Sequence, residues 1–215
     1  MIDDYDEDFG ALAFIEKRKD FDGKDEDCSE AKKLSYPSFV DRYFKKYYKL
    51  DVKFPFNDLL VLLHSNRVCV CTLAPTHPVL NKDKYKIEKI EFSQNVSGNM
   101  KGKHKQNAKI LHVLQSYCHI RCKNIQNDPP TEERFTIFSC INAKLIEVND
   151  EIVKNPELLQ DKSQSDGYLV ILYPKLDKIM DQFTSLITHD EFVEACKNRD
   201  CAKKNLENNS SSENV

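Results

Sequence analysis

From Leu59 onward the chain breaks into short segments rich in Leu, β-branched and aromatic residues. They lie around Leu59–Leu63, Arg67–Leu73, Ile87–Phe92, Cys118–Lys123, Phe135–Cys140, Lys144–Val148 and Tyr168–Tyr173. Turn-forming clusters separate them: His64-Ser65-Asn66, Pro75 to Pro78, Ser97-Gly98-Asn99, Asn127-Asp128-Pro129-Pro130 and Asn149-Asp150. Such segments are too short for helices with an apolar stripe, and many short strands with frequent turns predict a sandwich or barrel. The stretch from Ala108 to Gln115 fits a helical turn or a strand equally well.

Helical signals flank this region. Phe39, Val40, Tyr43, Phe44 and Tyr47 recur at helical spacing and predict a helix over 36–49, with Ser38 as N-cap. Asn155-Pro156-Glu157 predicts a short helix over 155–160, with proline at its first position. Thr188 and Glu191 form a capping box, with Ile187 and Phe192 placed as a hydrophobic staple. The helix they open is expected to reach about Arg199.

The chain has 215 residues, enough for one domain and tails. Its net charge of −3 conceals a pattern. Residues 1–30 hold 4 basic and 12 acidic side chains, residues 31–130 hold 18 and 7, and residues 131–215 hold 10 and 16. A basic middle between acidic ends points to an anionic partner or to compensation within the chain. Residues 1–34, dense in charge, and 201–215, rich in Asn and Ser, are expected to be disordered tails around a domain at 35–200. The acidic start lacks the pattern of a secretory leader, and no apolar run approaches the roughly 20 residues of a membrane span. The expectation is a cytosolic or nuclear protein with its eight cysteines reduced.

Motifs for catalysis are missing. The chain has only five glycines, which argues against a glycine-rich phosphate-cradling loop. His112, Cys118, His119 and Cys122 invite a zinc reading, but no second ligand pair follows Cys118 and Cys122. Cys69 and Cys71 alternate along a strand and should face the core. No metal, cofactor or catalytic residue is expected. The best candidate partner-binding residues are Lys101, Lys103, His104, Lys105 and Lys109, whose segment follows a turn and has almost no apolar content. Without interleaved aromatics, this segment is a poor platform for stacking nucleobases.

Two resemblances sharpen the expectation. The run from Phe135 to Asn149, then Asn155 to Leu159, then Gly167 to Val170, resembles the glycine cleavage H-protein, as does Leu186 to Phe192. The resemblance implies a mainly β barrel-sandwich hybrid, the lipoyl single hybrid motif, with edge helices. In that family a lipoyl-carrying lysine precedes a glycine by about eleven residues. Here Ala143 stands at the glycine's place, and counting back reaches Glu132, a carboxylate that cannot be acylated by lipoate.

A second match covers residues 37–175. Pro37 to Phe44, His64 to Val70, His77 to Leu80, Val96-Ser97-Gly98 and Ile146 to Asn149 resemble the Abitram (Simiate) family of actin-binding transcription modulators. That resemblance implies a non-enzymatic protein that binds actin, affects filament dynamics and cell protrusions, and resides in nuclear speckles and cytoplasm with unknown nuclear partners. The alternative is a nuclear adaptor or nucleic-acid-associated module without direct action on actin.

Overall fold

The computed structural model describes residues 37–94, 96, 109–175 and 179–212, with backbone only for 179–180 and 201–212. The expected tail at 1–34 lies outside these residues, as do Lys101, Lys103, His104 and Lys105 and the side chains of 201–215.

Ten strands and five α-helices are found among the described residues, with a 3-10 turn at Pro78–Leu80. In chain order they are α1 Phe39–Tyr43, β1 Phe44–Lys49, β2 Leu59–His64, β3 Cys69–Leu73, β4 Tyr85–Phe92, β5 Ile110–Leu111, β6 Ser116–Asn124, β7 Thr131–Phe138, β8 Ala143–Val148, α2 Glu151–Lys154, α3 Glu157–Asp161, β9 Val170–Pro174, α4 Ile179–Phe183, β10 Ile187–Thr188 and α5 His189–Ser212. The strands form two antiparallel sheets. One has seven strands in the order β10-β1-β2-β3-β9-β8-β5, and the other has three in the order β4-β6-β7.

The expected barrel-sandwich hybrid is therefore overturned. The large sheet ends in β10 and β5, which do not pair with each other, and the small sheet ends in β4 and β7. The fold is mixed α/β with two open sheets. Strand existence is set by local pattern, but closure depends on edge strands finding partners. At two residues each, β10 and β5 are too short to carry a seam.

The helix expected over 36–49 is also corrected. Ser38 does cap a helix, accepting from the Asp41 amide at 3.2 Å, but the helix ends at Tyr43 and the chain continues as β1. Tyr47 and Tyr48 then fall on opposite faces of a strand. β1 pairs with β2 along its full length, from Phe44 opposite His64 to Lys49 opposite Leu59, and those ladder bonds outweigh a weak helical preference. The short helix near 155–160 is present as α3, with Pro156 rather than Asn155 as its N-cap. The Thr188–Glu191 capping box forms, with the Thr188 amide donating to Glu191 at 2.7 Å. The helix it opens runs beyond the expected Arg199 to Ser212.

Two apolar clusters hold the domain together. The larger joins the facing sides of both sheets, with Leu59, Val61, Cys71 and Leu172 from one and Ile90, Cys118, Ile120 and Ile137 from the other. The smaller lies on the outer side of the large sheet, where Tyr48, Leu60 and Leu62 meet Phe192 of α5. β2 is thus buried on both faces, which is why its sequence Leu59-Leu60-Val61-Leu62 shows no polar alternation.

Candidate functional site

Among the described residues, several basic side chains surround a cleft at the β5-β8-β9 end of the large sheet. The cleft has a volume of 530 Å³ and is walled by Ile110, Ala143, Pro174 and Tyr173. Arg67, His112, Lys144 and Lys175 line it, with no Asp or Glu in its lining.

Chain geometry explains this gathering. The β2-β3 hairpin turns at Ser65-Asn66-Arg67, and the Arg67 amide donates to the His64 carbonyl at 2.9 Å. Arg67 closes the turn with φ of 73°, a left-handed conformation that costs about 1–2 kcal/mol for a residue with a Cβ. Asn66 Oδ1 steadies the turn by accepting from the Val68 amide at 3.0 Å. The β3-β9 register sets Cys69 opposite Leu172, so the next turn of chain brings Arg67 to Tyr173. Its guanidinium donates to Tyr173 Oη and lies 4.7 Å from the ring centroid. A guanidinium held in this way keeps further N–H groups for a planar oxyanion and has lost little freedom to gain.

Lys144 comes from β8, opposite Ile110 and Tyr173. Lys175 follows β9 and is exposed. The cleft is next to the start of β5, which directly follows Lys109. Lys109 is exposed, its ammonium donates to the Gln94 carbonyl at 3.3 Å, and its carbonyl accepts from the Leu145 amide at 2.8 Å. Of the five expected partner-binding residues, Lys109 alone lies within the described residues, anchored beside the cleft.

A second concavity shares Arg67. It is lined by Arg42, Tyr43, Phe44, Lys45 and His64. Phe39 and Tyr43 of α1 are 62% and 50% exposed, with ring centroids 4.8 Å apart. Arg42 lies 5.4 Å from the Tyr43 ring centroid. Asp41 is occupied by Lys46 at 2.5 Å and by Ser38. The Lys46 and Ser38 bonds hold the Asp41 carboxyl below its ordinary range.

The sequence reading missed Arg67, Lys144 and Lys175 because they are scattered through the chain. The turn cluster His64-Ser65-Asn66, which sets Arg67 at the end of a hairpin, was the available signal.

The zinc reading dissolves in the geometry. Cys118 and Cys122 are buried in the core, as a packed pair on one strand face should be. His119 points from the opposite face, its Nδ1 3.1 Å from Thr136 Oγ1, and His112 lies at the cleft. Among the described residues no three His, Cys, Asp or Glu side chains could together hold a metal. Cys69 and Cys71 face the core as expected. Burial pushes the thiols of Cys69, Cys122 and Cys140 up to about 12, and raises Cys71 and Cys118 as well. These groups stay protonated and are poor nucleophiles. Glu132 stands exposed in β7, opposite Lys123 in β6, and Lys123 is itself paired with Glu88.

The two open sheets and the cleft define a β-rich protein whose cleft is lined by cationic and aromatic side chains. Its relatives are specific. Over 179 residues it is 38% identical to Protein Abitram of Xenopus tropicalis, covering 81% of this chain and 93% of that protein. It is 37% identical over 175 residues to the human Protein Abitram and 35% identical over 168 residues to that of Drosophila melanogaster. The chain belongs to the Abitram family. No protein-family profile matches it. Among solved structures, a glycine cleavage system H protein from Mycobacterium marinum aligns with a TM-score of 0.46 and 9% identity, covering 71% of this chain and 97% of that one. Among the described residues no helix is long and apolar enough to cross a membrane.

Proposed function

We propose that this protein is a non-enzymatic actin-binding protein that modulates actin polymerisation and the dynamics of cell protrusions, with a nuclear role linked to transcription. The observation that carries the reading is family membership, which extends over four-fifths of the chain and 93% of the Xenopus tropicalis relative. The basic segment Lys101, Lys103, His104, Lys105 and Lys109 is the proposed docking element. Actin presents a largely acidic surface, and a cluster of cations on one segment steers association with such a surface. The protein divides its time between nuclear speckles, where its partners are unidentified proteins, and actin-rich cytoplasm.

Co-sedimentation with filaments and depletion of monomers in a polymerisation assay test this reading. The expected result is binding that weakens as salt rises and is lost when Lys101, Lys103 and Lys105 are changed to Glu. Absence of binding to both actin forms at low salt overturns it.

A further inference from the structure

The fold supplies to one surface what the basic segment lacked. Cations and exposed aromatic rings from α1, β1, the β2-β3 turn, β8 and the end of β9 meet around Arg67, which lines both concavities. We propose that this surface is a binding track for single-stranded nucleic acid, distinct from Lys101, Lys103 and Lys105, whose reversal tests the actin reading.

Charge is the first argument. Arg42, Lys45, Arg67, Lys144 and Lys175 line the two concavities, and none has a carboxylate partner within ion-pair distance among the described residues. The single acid of the lining, Asp41, is neutralised by Lys46. A surface with this imbalance attracts a polyanion and releases its counterions on binding.

Aromatic exposure is the second. Tyr43 presents its ring to water beside those cations, and Phe39, also exposed, packs against Tyr43. Sequence-tolerant single-strand binders use this pairing, with cations following phosphates and rings stacking on bases, each stacked base worth about 1–3 kcal/mol. An acidic peptide would use the cations and leave the rings idle. A duplex hides its base faces and could not stack on them. Arg67 and Tyr173 add a rigid cation–π pair at the centre, where a phosphate can meet a fixed guanidinium fork. The 530 Å³ cleft beyond it, with its apolar walls, has room for a nucleobase.

The test uses the full chain and fluorescently labelled oligonucleotides of about 12 nucleotides, as single-stranded RNA, single-stranded DNA and RNA duplex, with a polyglutamate peptide as competitor. Fluorescence anisotropy is read across a salt series beginning at about 50 mM. The expected result is single-strand binding that weakens with salt. Arg67→Gln with Lys144→Gln and Lys175→Gln should weaken it at least about ten-fold and lower the log–log salt slope by about 2, since each phosphate contact on a single strand contributes about 0.7. Phe39→Leu with Tyr43→Leu keeps apolar bulk but removes the rings; it should weaken binding about ten-fold or more with the slope unchanged. These outcomes overturn the proposal: no single-strand binding at the lowest salt, a duplex bound as tightly as the single strand, or polyglutamate binding that depends on the cations while Phe39→Leu with Tyr43→Leu has no effect. None of these variants touches Lys101, Lys103 or Lys105, so failure here leaves the actin reading standing, and the reverse.

Discussion

At the scale of single residues, the most informative side chains are buried polar ones. His77 is 1% exposed, and its Nε2 donates to Asn57 Oδ1 at 3.1 Å while its Nδ1 accepts from the Val79 amide at 3.2 Å. Asn57 in turn donates to the carbonyls of Val52 and Thr136 at 2.8 and 3.1 Å, so its amide tethers the loop before β2 to β7 while the imidazole holds that loop to the turn at Val79. Burial lowers the His77 pKa from its ordinary value to about 4. The unfolded chain therefore binds a proton that the folded chain refuses between pH 6.5 and 4. Stability should be full above pH 6.5 and fall as pH drops through that window, by a total of about 3 kcal/mol from this residue. Urea midpoints measured from pH 7.5 to 4 check this, and a His77→Gln variant should show a shallower decline. Gly167 supplies a second residue-scale prediction. A Cβ there would stand 2.2 Å from the Leu158 carbonyl oxygen and 2.9 Å from the Leu159 Cα, both backbone atoms. Gly167→Ala must push α3 away and should destabilise by about 1–3 kcal/mol in equilibrium denaturation.

At the scale of elements, α5 decides how the large sheet meets water. Phe192 stacks on Tyr48 with ring centroids 3.9 Å apart and planes at 6°, and Tyr48 Oη lies 3.0 Å from His189 Nδ1. Burial raises the Tyr48 pKa to about 12, so the hydroxyl stays protonated throughout the physiological range. Seven residues further along, Arg199 reaches back to Asp58, which is 0% exposed, at 2.6 Å, and to Asp51 at 2.6 Å. Asp58 also accepts from Thr76 Oγ1 at 2.6 Å and from the Asp51 amide at 2.8 Å. One aromatic stack and one buried ion pair thus clamp the helix at two points. Phe192→Ala should cost about 3–5 kcal/mol by thermal or urea melting, because it leaves a cavity over Tyr48 and frees the first turns of α5.

At the scale of the whole molecule, two open sheets leave four edges, and short strands, charge or helices guard them. β10 and β5 are two residues long, and β7 carries Glu132, Glu133 and Arg134 at its exposed start. Such devices limit edge-to-edge pairing between copies. The outer face of β1 and β2 has no such protection except α5. Ending the chain at Leu186 would bare Tyr48, Leu60 and Leu62 together, which are now 1%, 0% and 1% exposed. The shortened protein should aggregate, as checked by light scattering and by binding of an apolar dye, while the full chain remains dispersed under the same conditions.

Local pattern determined the strands. The seven segments from Leu59–Leu63 to Tyr168–Tyr173 became β2, β3, β4, β6, β7, β8 and β9, because apolar content and turn chemistry act over a few residues. The Thr188 capping box and the inward cysteines of β3 were legible for the same reason. Tertiary structure alone decided three matters. It made β1 a strand despite its helical spacing, since pairing with β2 outbid local preference. It left the sheets open, since closure depends on distant edges meeting. It also assembled the cleft, because Arg67, Lys144 and Lys175 lie far apart in the chain and only the β3-β9-β8 ladder sets them side by side. Side chains that act through proximity carry no shared signal until the backbone has folded.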